Sequence, residues 1–222
     1  MNISWSFSSL KTFKTCPKQY YHLKVVKDVK ETFNEAALYG NEAHKAAEKY
    51  VRDGEPIPAK FSFMQEQMDK LKAMKGEKFC EQRMAINHSM EACKFFDSEV
   101  WLRGIVDLLV VREDKPIAKV VDYKFGKSKN ADSTQLELMA LLVFVHYPQV
   151  ETVKGLLMFC AEQKYIEAEF HREDIPQMWQ NWMPDVKRLE SAMDSDTWNP
   201  NPSGLCKGWC PVKTCQHWSP KR

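Results

Sequence analysis

The sequence predicts an α/β domain with a central mixed β-sheet flanked by α-helices. Two apolar runs, residues 103–111 and the run that ends at Lys124, are rich in β-branched residues and are separated by a polar, turn-like stretch, as is typical of strands. Segments 34–52 and 133–145 have the apolar spacing of helices and lie on either side of these strands in the chain. We therefore expect residues 79–124 to form the core of the sheet.

The N-terminal third is predicted to be helical. Ser8 or Ser9 has the residue type that caps a helix, and a short helix should follow. The alanine-rich segment 34–52 predicts a long helix that ends at the sequence Asp-Gly-Glu-Pro. A second long helix is expected over residues 61–74.

The C-terminal half alternates between helical and strand-like patterns. Ser133 or Asp132 is expected to cap the helix over 133–145. Two further strands and a last long helix are predicted over 152–160, 165–170 and 173–193. Pro176 falls in the first turn of that helix, where proline is tolerated, whereas Pro184 lies well inside and should kink or split it.

The composition allows a large core but does not identify a partner. The chain has 222 residues, of which 44% are hydrophobic and 12% aromatic, and its formal net charge is +2. One large domain or two small ones fit this length. A surface that binds nucleic acid would have to be a local basic patch, because the chain carries no global positive excess.

Neither a membrane segment nor a secretion signal is indicated. No stretch of the sequence is apolar enough to span a bilayer, and the first residues lack the basic start and apolar run of a signal peptide. A cytoplasmic protein is therefore expected. The seven cysteines in such a chain favour free thiols or a metal site over disulfides.

Two carboxylates inside the apolar strands are the strongest chemical signal. Asp107 and Asp122 each lie within a strand-like run, and Lys124 follows two residues after Asp122, on the same face of its strand. A carboxylate is costly to bury unless a cation offsets its charge. The pattern suggests a magnesium-type hydrolytic site, while a buried structural ion pair between Asp122 and Lys124 is the plain alternative.

Two other polar residues could join such a site. His44 lies on the alanine-rich helix, on a face that is expected to look at the core, where a histidine can be either a packed residue or a ligand. Gln135 begins the helix that follows Lys124, and an ordinary helix-start glutamine is the alternative explanation.

Together these segments resemble the PD-(D/E)xK nuclease superfamily, and within it the RecB-like exonuclease group. The resemblance extends from Ser6 to Trp218. The matching motifs are Ser8–Leu10 with Cys16–Tyr20, Gly40–His44, Gly104–Asp107, and Asp122–Lys124 with Gly126. A Gln-x-x-x-Tyr motif matches only in part, because Gln135 is present but Met139 stands at the tyrosine position.

The resemblance implies one nuclease domain over residues 1–222 with a restriction-endonuclease-like core at about 34–193. It implies a metal-dependent DNA exonuclease that acts from single-stranded ends in recombination, repair or replication. A phage origin, a role in CRISPR adaptation, and partners such as a helicase, a recombinase or further copies of the chain are compatible with it. The alternative is a catalytically silent DNA-binding or scaffold protein that keeps the fold.

The resemblance also implies a ligand set for Mg²⁺ or Mn²⁺. Asp107 and Asp122 would supply carboxylate oxygens and Tyr123 its backbone carbonyl, in keeping with the preference of hard cations for oxygen. His44 would be a further ligand that favours manganese. Glu81, near the start of the strand region, could support the site.

Two more residues complete the implied catalytic set. Lys124 would orient a water and stabilise negative charge that develops on the phosphate. Gln135 would act from the following helix, although Met139 puts the role of that helix in contacting DNA in question.

Cysteines at the two ends of the chain form a second predicted site. Cys206, Cys210 and Cys215 lie within ten residues, and Cys16 is the other cysteine within a matching motif. By the resemblance, one N-terminal and three C-terminal thiolates hold a structural 4Fe–4S cluster, in segments 8–24 and 200–222, and clasp the tail to the N-terminal helix. Zinc, with Cys16 or His217 as the fourth ligand, and free thiols are the alternatives.

DNA contacts are expected from basic residues near aromatic ones. Phosphate contacts and base stacking together suit a single strand. Phe13, Tyr20 and Tyr21 lie among the lysines of the N-terminal segment. The candidate basic residues are Lys11, Lys14, Lys18, Lys24, Lys127, Lys129, Lys207, Lys213, Lys221 and Arg222.

Overall fold

The computed structural model describes residues 4–30, 35–130 and 132–220. Lys221 and Arg222, two of the candidate DNA-contacting residues, lie outside this range. The chain divides into a larger compact unit, Asn34–Met178, and a smaller unit that combines Met1–Phe33 with Trp179–Arg222. No helix in the described ranges is both long and apolar enough to cross a membrane.

A six-stranded mixed sheet forms the centre of the larger unit. The strands are β1 (Glu77–Asn87), β2 (Ala92–Cys93), β3 (Val100–Val111), β4 (Ile117–Lys124), β5 (Thr152–Phe159) and β6 (Lys164–His171). Their order is β2-β1-β3-β4-β5-β6, with β4 and β5 parallel and the other neighbours antiparallel. The parallel pair requires a crossover, which the helix between β4 and β5 supplies.

Helices account for most of the remaining chain. The α-helices of the described residues are α1 (Phe7–Thr15), α2 (Pro17–Tyr20), α3 (Glu35–Asp53), α4 (Gln65–Lys72), α5 (Thr134–His146) and α6 (Ile175–Asp194). A π-helical turn at Tyr21–Val25 follows α2, and a 3₁₀ segment at Ala59–Met64 leads into α4.

Helices cover both faces of the sheet. On one face, Ala43 and Ala47 of α3 belong to the same buried cluster as Leu108 of β3 and Tyr123 of β4. On the other face α5 packs so closely that a Cβ atom on Gly155 would lie 3.1 Å from Leu136. The predicted α/β architecture, a mixed sheet flanked by helices, is confirmed.

The alternation of the sheet faces reverses inside β1 and β3. Leu108 faces the α3 cluster, yet a Cβ on Gly104 would lie 2.7 Å from Leu142 of α5. Residues four apart on a regular strand share a face, so the direction of the side chains must change between these two positions. In β1 the residue opposite this interval is Glu81, whose φ of 52° is left-handed. The candidate site lies at this reversal.

The first helix begins earlier than its sequence suggests. Ser6, not Ser8 or Ser9, is the N-cap, because its extended backbone (φ −147°) lets its hydroxyl accept from the Ser9 amide at 3.3 Å. The Ser9 hydroxyl in turn accepts from the Ser6 amide at 2.8 Å, which completes a capping box. The cap was misplaced because every residue from Ser6 to Ser9 except Phe7 is a serine.

Other boundaries also differ from the sequence prediction. The segment 61–74 is not one helix, since the 3₁₀ turn gives way to α4 only at Gln65. Helix α6 continues through Pro184 and is not split. Ser133 occupies the N-cap position of α5 without a side-chain hydrogen bond, and the Asp132 carboxylate accepts from the Thr134 amide at 3.2 Å instead.

In the smaller unit the N-terminal aromatics belong to the core. Phe13 and Tyr20 are 3% and 4% exposed, and Tyr20 stacks on Trp198 with the ring centroids 5.7 Å apart. The expectation that Phe13 and Tyr20 are exposed for base stacking is therefore wrong, whereas Tyr21 stays partly exposed. Their aromatic surface stabilises the unit by packing against Trp198.

Candidate active site

The two strand carboxylates lie where β3 and β4 separate. Antiparallel pairing between these strands ends at Leu108 and Val121, so the next residues, Asp107 and Asp122, are not paired with each other, although Asp122 pairs with Leu157 of β5. The Asp107 carboxylate replaces the missing ladder hydrogen bond, since its Oδ2 accepts from the Tyr123 amide at 2.6 Å. Both carboxylates therefore lie at the point where the β3–β4 ladder opens.

Asp122, Lys124 and Gln135 form a closed polar network. Lys124 Nζ lies 2.7 Å from Asp122 Oδ2 and donates to Gln135 Oε1 at 3.0 Å, while Gln135 Nε2 donates to Asp122 Oδ1. Asp122 and Gln135 are 7% and 6% exposed. Gln135 thus bonds both other side chains from α5, and its catalytic role stays a prediction.

One oxygen of this network is held by an ion pair alone. Asp122 Oδ2 is buried and lies 2.7 Å from Lys124 Nζ, but it accepts no hydrogen bond of good geometry from the described residues. Lys124 therefore offsets the charge of this buried carboxylate.

A second group of ligands adjoins Asp107. One ligand atom each from His44, Glu81 and Asp107 lies within 4.8 Å of the other two. His44 Nδ1 is 3.4 Å from Asp107 Oδ2, and α3 holds it there through the buried Ala43 and Ala47 on the same helix. The structure thus brings His44, predicted as a ligand, beside the carboxylate of β3.

Glu81 contributes more to the geometry than the sequence suggested. It lies directly across from Asp107, between the pairs Cys80↔Leu108 and Gln82↔Val106, but is itself unpaired. Its left-handed backbone is uncommon for a residue other than glycine and costs about 1–3 kcal/mol. Unlike Asp107 and Asp122, Glu81 does not interrupt a clear apolar run in the sequence. Only the strand register indicates that it lies opposite Asp107.

The two acidic groups and the histidine of this ligand group all disfavour their own charged forms. Burial, reinforced by Asp122, raises the pKa of Asp107 well above its usual value. Burial also raises the pKa of Glu81 and lowers that of His44. Oxygen and imidazole donors that disfavour their own charge in this way fit a hard divalent cation such as Mg²⁺ or Mn²⁺.

Tyr123 can offer only its backbone to this pocket. Its ring belongs to the buried cluster on the α3 face, with 1% of the residue exposed. Its amide is already bonded to Asp107. The prediction that Tyr123 acts through its carbonyl is compatible with this placement and stays a prediction.

The four cysteines of the predicted cluster lie together in the smaller unit. Cys16, Cys206, Cys210 and Cys215 line one cavity, which His217 also borders. Burial raises the pKa of Cys210, and the other three thiols raise it further.

Backbone groups surround two of these sulfurs. The Asn201 amide donates to Cys16 Sγ at 3.4 Å and the Ser203 amide to Cys206 Sγ at 3.5 Å. Asn201 Nδ2 also donates to the Thr15 carbonyl at 3.0 Å, which ties the tail to the end of α1. Amide donors of this kind stabilise thiolates.

The remaining cysteines do not line this cavity. Burial raises the pKa of Cys80 to about 11 and that of Cys160 to about 12, and it also raises that of Cys93. These shifts favour the neutral thiol at all three positions.

The chain is similar to one protein family and to solved structures. The profile of a family described as the PD-(D/E)XK nuclease superfamily matches residues 4–215. The crystal structure of SSO0001 is similar, with 13% identity and a TM-score of 0.52 over 99% of this chain and 88% of that one. A structure named "Putative exonuclease", from Eubacterium rectale, has 12% identity and a TM-score of 0.48 over 95% and 85%. No functionally curated protein matches the sequence.

Proposed function

This chain belongs to the PD-(D/E)XK nuclease superfamily, and from that premise we propose that it is a metal-dependent exonuclease that hydrolyses DNA from single-stranded ends. The observation that carries the proposal is the convergence at the β3–β4 gap. There Asp107 adjoins His44 and Glu81, while Asp122 adjoins Lys124. A purely structural ion pair would need neither the histidine nor the strained glutamate.

We assign the cation to the group formed by His44, Glu81 and Asp107, which supply a ring nitrogen and two carboxylate oxygens. Asp122 would add a third oxygen and Tyr123 its backbone carbonyl. The group that fits them is Mg²⁺ or Mn²⁺, which when bound lowers the pKa of water and neutralises phosphate charge. The repulsion between the Asp107 and Asp122 carboxylates supports this assignment, because a bound cation would offset it.

We assign to Lys124 the stabilisation of the negative charge that develops on the phosphate. Its ammonium is held by Asp122 on one side and the Gln135 amide oxygen on the other, so it enters the pocket in one orientation. A positioned cation stabilises an anionic transition state more than a mobile one, because no reorganisation is needed during the reaction. Asp122 and Gln135 thus act partly by positioning Lys124.

We further propose that the four thiols bind a structural 4Fe–4S cluster, as in the RecB-like group. The shared cavity and the two amide donors suit thiolate ligands of either zinc or a cluster, and the resemblance to the RecB-like group favours the cluster. It would join Cys16 to the C-terminal tail within the smaller unit. Zinc is the alternative that metal analysis distinguishes.

The proposed setting is recombination, repair or replication, with CRISPR adaptation and a phage origin as narrower options. The proposed partners in this setting are a helicase, a recombinase or further copies of the chain. A silent DNA-binding or scaffold protein is the competing function. It predicts binding of DNA without any requirement for a divalent cation.

Degradation of end-labelled single-stranded DNA with manganese, magnesium or chelator tests the proposal. The wild-type chain should degrade the DNA only with the divalent cation, and Asp122→Ala should be inactive. The position of the label gives the direction of digestion. Intact DNA under all conditions, from a folded protein, would favour the scaffold.

A further inference from the structure

A row of side chains extends from the candidate active site along β1 and β3. Cross-strand pairing places Arg83 opposite Ile105, immediately after Glu81 and Asp107. Arg103 follows one step further, opposite Ala85. Each step is about 7 Å, so Arg103 lies about 14 Å along the strands from Asp107.

This row faces away from α5. Gly104, between Arg103 and Ile105, faces Leu142 of α5. Its neighbours on the strand therefore point to the opposite side of the sheet. That is the side on which α3 presents His44 beside Asp107. The row and the candidate metal ligands consequently share one face.

Two phenylalanines from the turn after β2 pack against the arginines. The Arg83 guanidinium lies 5.6 Å from the Phe95 ring centroid and 5.8 Å from that of Phe96, and the Arg103 guanidinium lies 5.7 Å from Phe95. Phe95 and Phe96 meet edge to face at 5.0 Å. Cation–π contacts hold both guanidinium groups over this surface.

The patch is exposed beyond what folding requires. Phe96 is 77% exposed and Ile105 39%. Such surface contributes little to the core, because apolar area stabilises the fold only when it is removed from water. Exposed apolar side chains beside charged ones mark a binding surface.

The arginines of the patch form no salt bridge within the described residues, although the same turn carries carboxylates. Glu91 instead bonds to Asn87, and Asp97 accepts from the Glu99 amide. The charge of Arg83 does act on Glu81 and lowers its pKa, against the larger effect of burial, but from beyond ion-pair distance. Unpaired guanidinium groups are strong ligands for phosphate oxygens.

We propose that Arg83, Arg103, Phe95, Phe96 and Ile105 form a track for single-stranded DNA that leads to the active site. The arginines contact phosphates, and the exposed Phe96 ring stacks on a base. Only an unpaired strand offers the faces of its bases, so the aromatic component favours single strands over duplex. The inference that the track leads to the active site rests on the proposed nuclease function, whereas binding of DNA to the track does not require cleavage.

Binding of a labelled oligothymidylate, about 16 nucleotides long, measured by fluorescence anisotropy in chelator, tests the track. Phe96→Ala should weaken binding about tenfold, the scale of one lost base stack, while Phe96→Trp should preserve it. Arg83→Ala and Arg103→Ala should each reduce the slope of log affinity against log salt by about 1. Lys115→Ala and Tyr165→Ala, at exposed positions outside the track, should match wild type.

The outcomes separate the track from the nuclease function. In cleavage assays with manganese, Phe96→Ala and Arg103→Ala should raise KM and leave kcat near the wild-type value, whereas Arg83→Ala is not used there because its charge acts on Glu81. Wild-type cleavage together with unchanged binding and KM in the variants would overturn the track alone. Track-dependent binding without any cleavage would overturn the nuclease alone. Equal losses for single-stranded and duplex DNA would overturn the single-strand assignment.

Discussion

At the scale of single residues, Glu81 departs most clearly from regular geometry, since no other non-glycine residue inside a described strand has a positive φ. Its backbone strain and its place opposite Asp107 are one feature, because a regular strand would turn its carboxylate away from His44. Asp107, Asp122 and Lys124 could be predicted because they interrupt apolar runs. Glu81 could be predicted only as a supporting residue, because its place opposite Asp107 depends on the register of two strands.

Replacing Glu81 should separate stability from metal binding. Both Glu81→Gly and Glu81→Gln lose the carboxylate and should weaken manganese binding. Only glycine relieves the strain of the left-handed backbone. We therefore expect the free energy of unfolding of Glu81→Gly to be about 1 kcal/mol higher than that of Glu81→Gln. Urea denaturation in chelator measures the difference, and equal stability of the two variants would argue against strain at this position.

The buried carboxyl of Asp107 should make stability depend on pH when no metal is bound. Burial and Asp122 raise its pKa in the folded protein, so the folded state binds a proton that the unfolded state has lost. The free energy of unfolding contributed by this group should then fall as the pH rises above about 4, until the raised pKa is passed.

Asp107→Asn is the matched comparison for this effect. The variant should lack this component of the pH dependence and should be more stable than wild type at neutral pH in chelator. Denaturation of both proteins between about pH 5 and about pH 8 checks it. Parallel curves for the two proteins would show that Asp107 titrates normally.

At the scale of elements, the unit of β4, α5 and β5 determines the site. The helix returns the chain to a parallel strand and in doing so brings Gln135 over Asp122 and Lys124. The sequence predicted all three elements, because their periodicities are long and clear. It did not predict the 3₁₀ start of 59–64 or the continuity of α6 through Pro184, since tertiary packing overrides local preference at such points.

The close approach of α5 to the sheet makes Gly155 a sensitive position. A Cβ there would lie 3.1 Å from Leu136, the neighbour of Gln135. Gly155→Ala should destabilise the fold by about 1–3 kcal/mol and lower cleavage by displacing Gln135. Gly126→Ala, with no atom within 4 Å of its Cβ, should leave stability nearly unchanged. Thermal unfolding of the two variants tests the packing, and equal melting temperatures would contradict it.

At the scale of the whole molecule, the proposed cluster joins the two ends of the chain. The grouping of Cys16 with the three tail cysteines could be predicted only through the resemblance, because nothing in local sequence brings residues so far apart together. The burial of Phe13 and Tyr20 was missed for a related reason. Their partner, Trp198, comes from the tail.

Removing one cluster ligand should show that the stability of the fold depends on the bound cluster. Cys210→Ser should lose bound iron and acid-labile sulfide and should lower the melting temperature, because the long closure between N-terminal segment and tail is lost. Cys93→Ser, outside the cavity, should retain both. Analysis of iron, sulfide and zinc after anaerobic purification provides the measurement. Stoichiometric zinc without sulfide in the wild type would replace the cluster assignment.

The most direct test of the central claim is the manganese dependence of single-turnover cleavage of a labelled single strand by wild type, Glu81→Gln and Asp107→Asn. If the ligands at the β3–β4 gap hold the cation that the reaction needs, Glu81→Gln should require about tenfold more manganese for half-maximal cleavage, and Asp107→Asn should be inactive at every concentration. Cleavage that persists in chelator, or that proceeds equally in Asp107→Asn, would contradict the assignment of the active site.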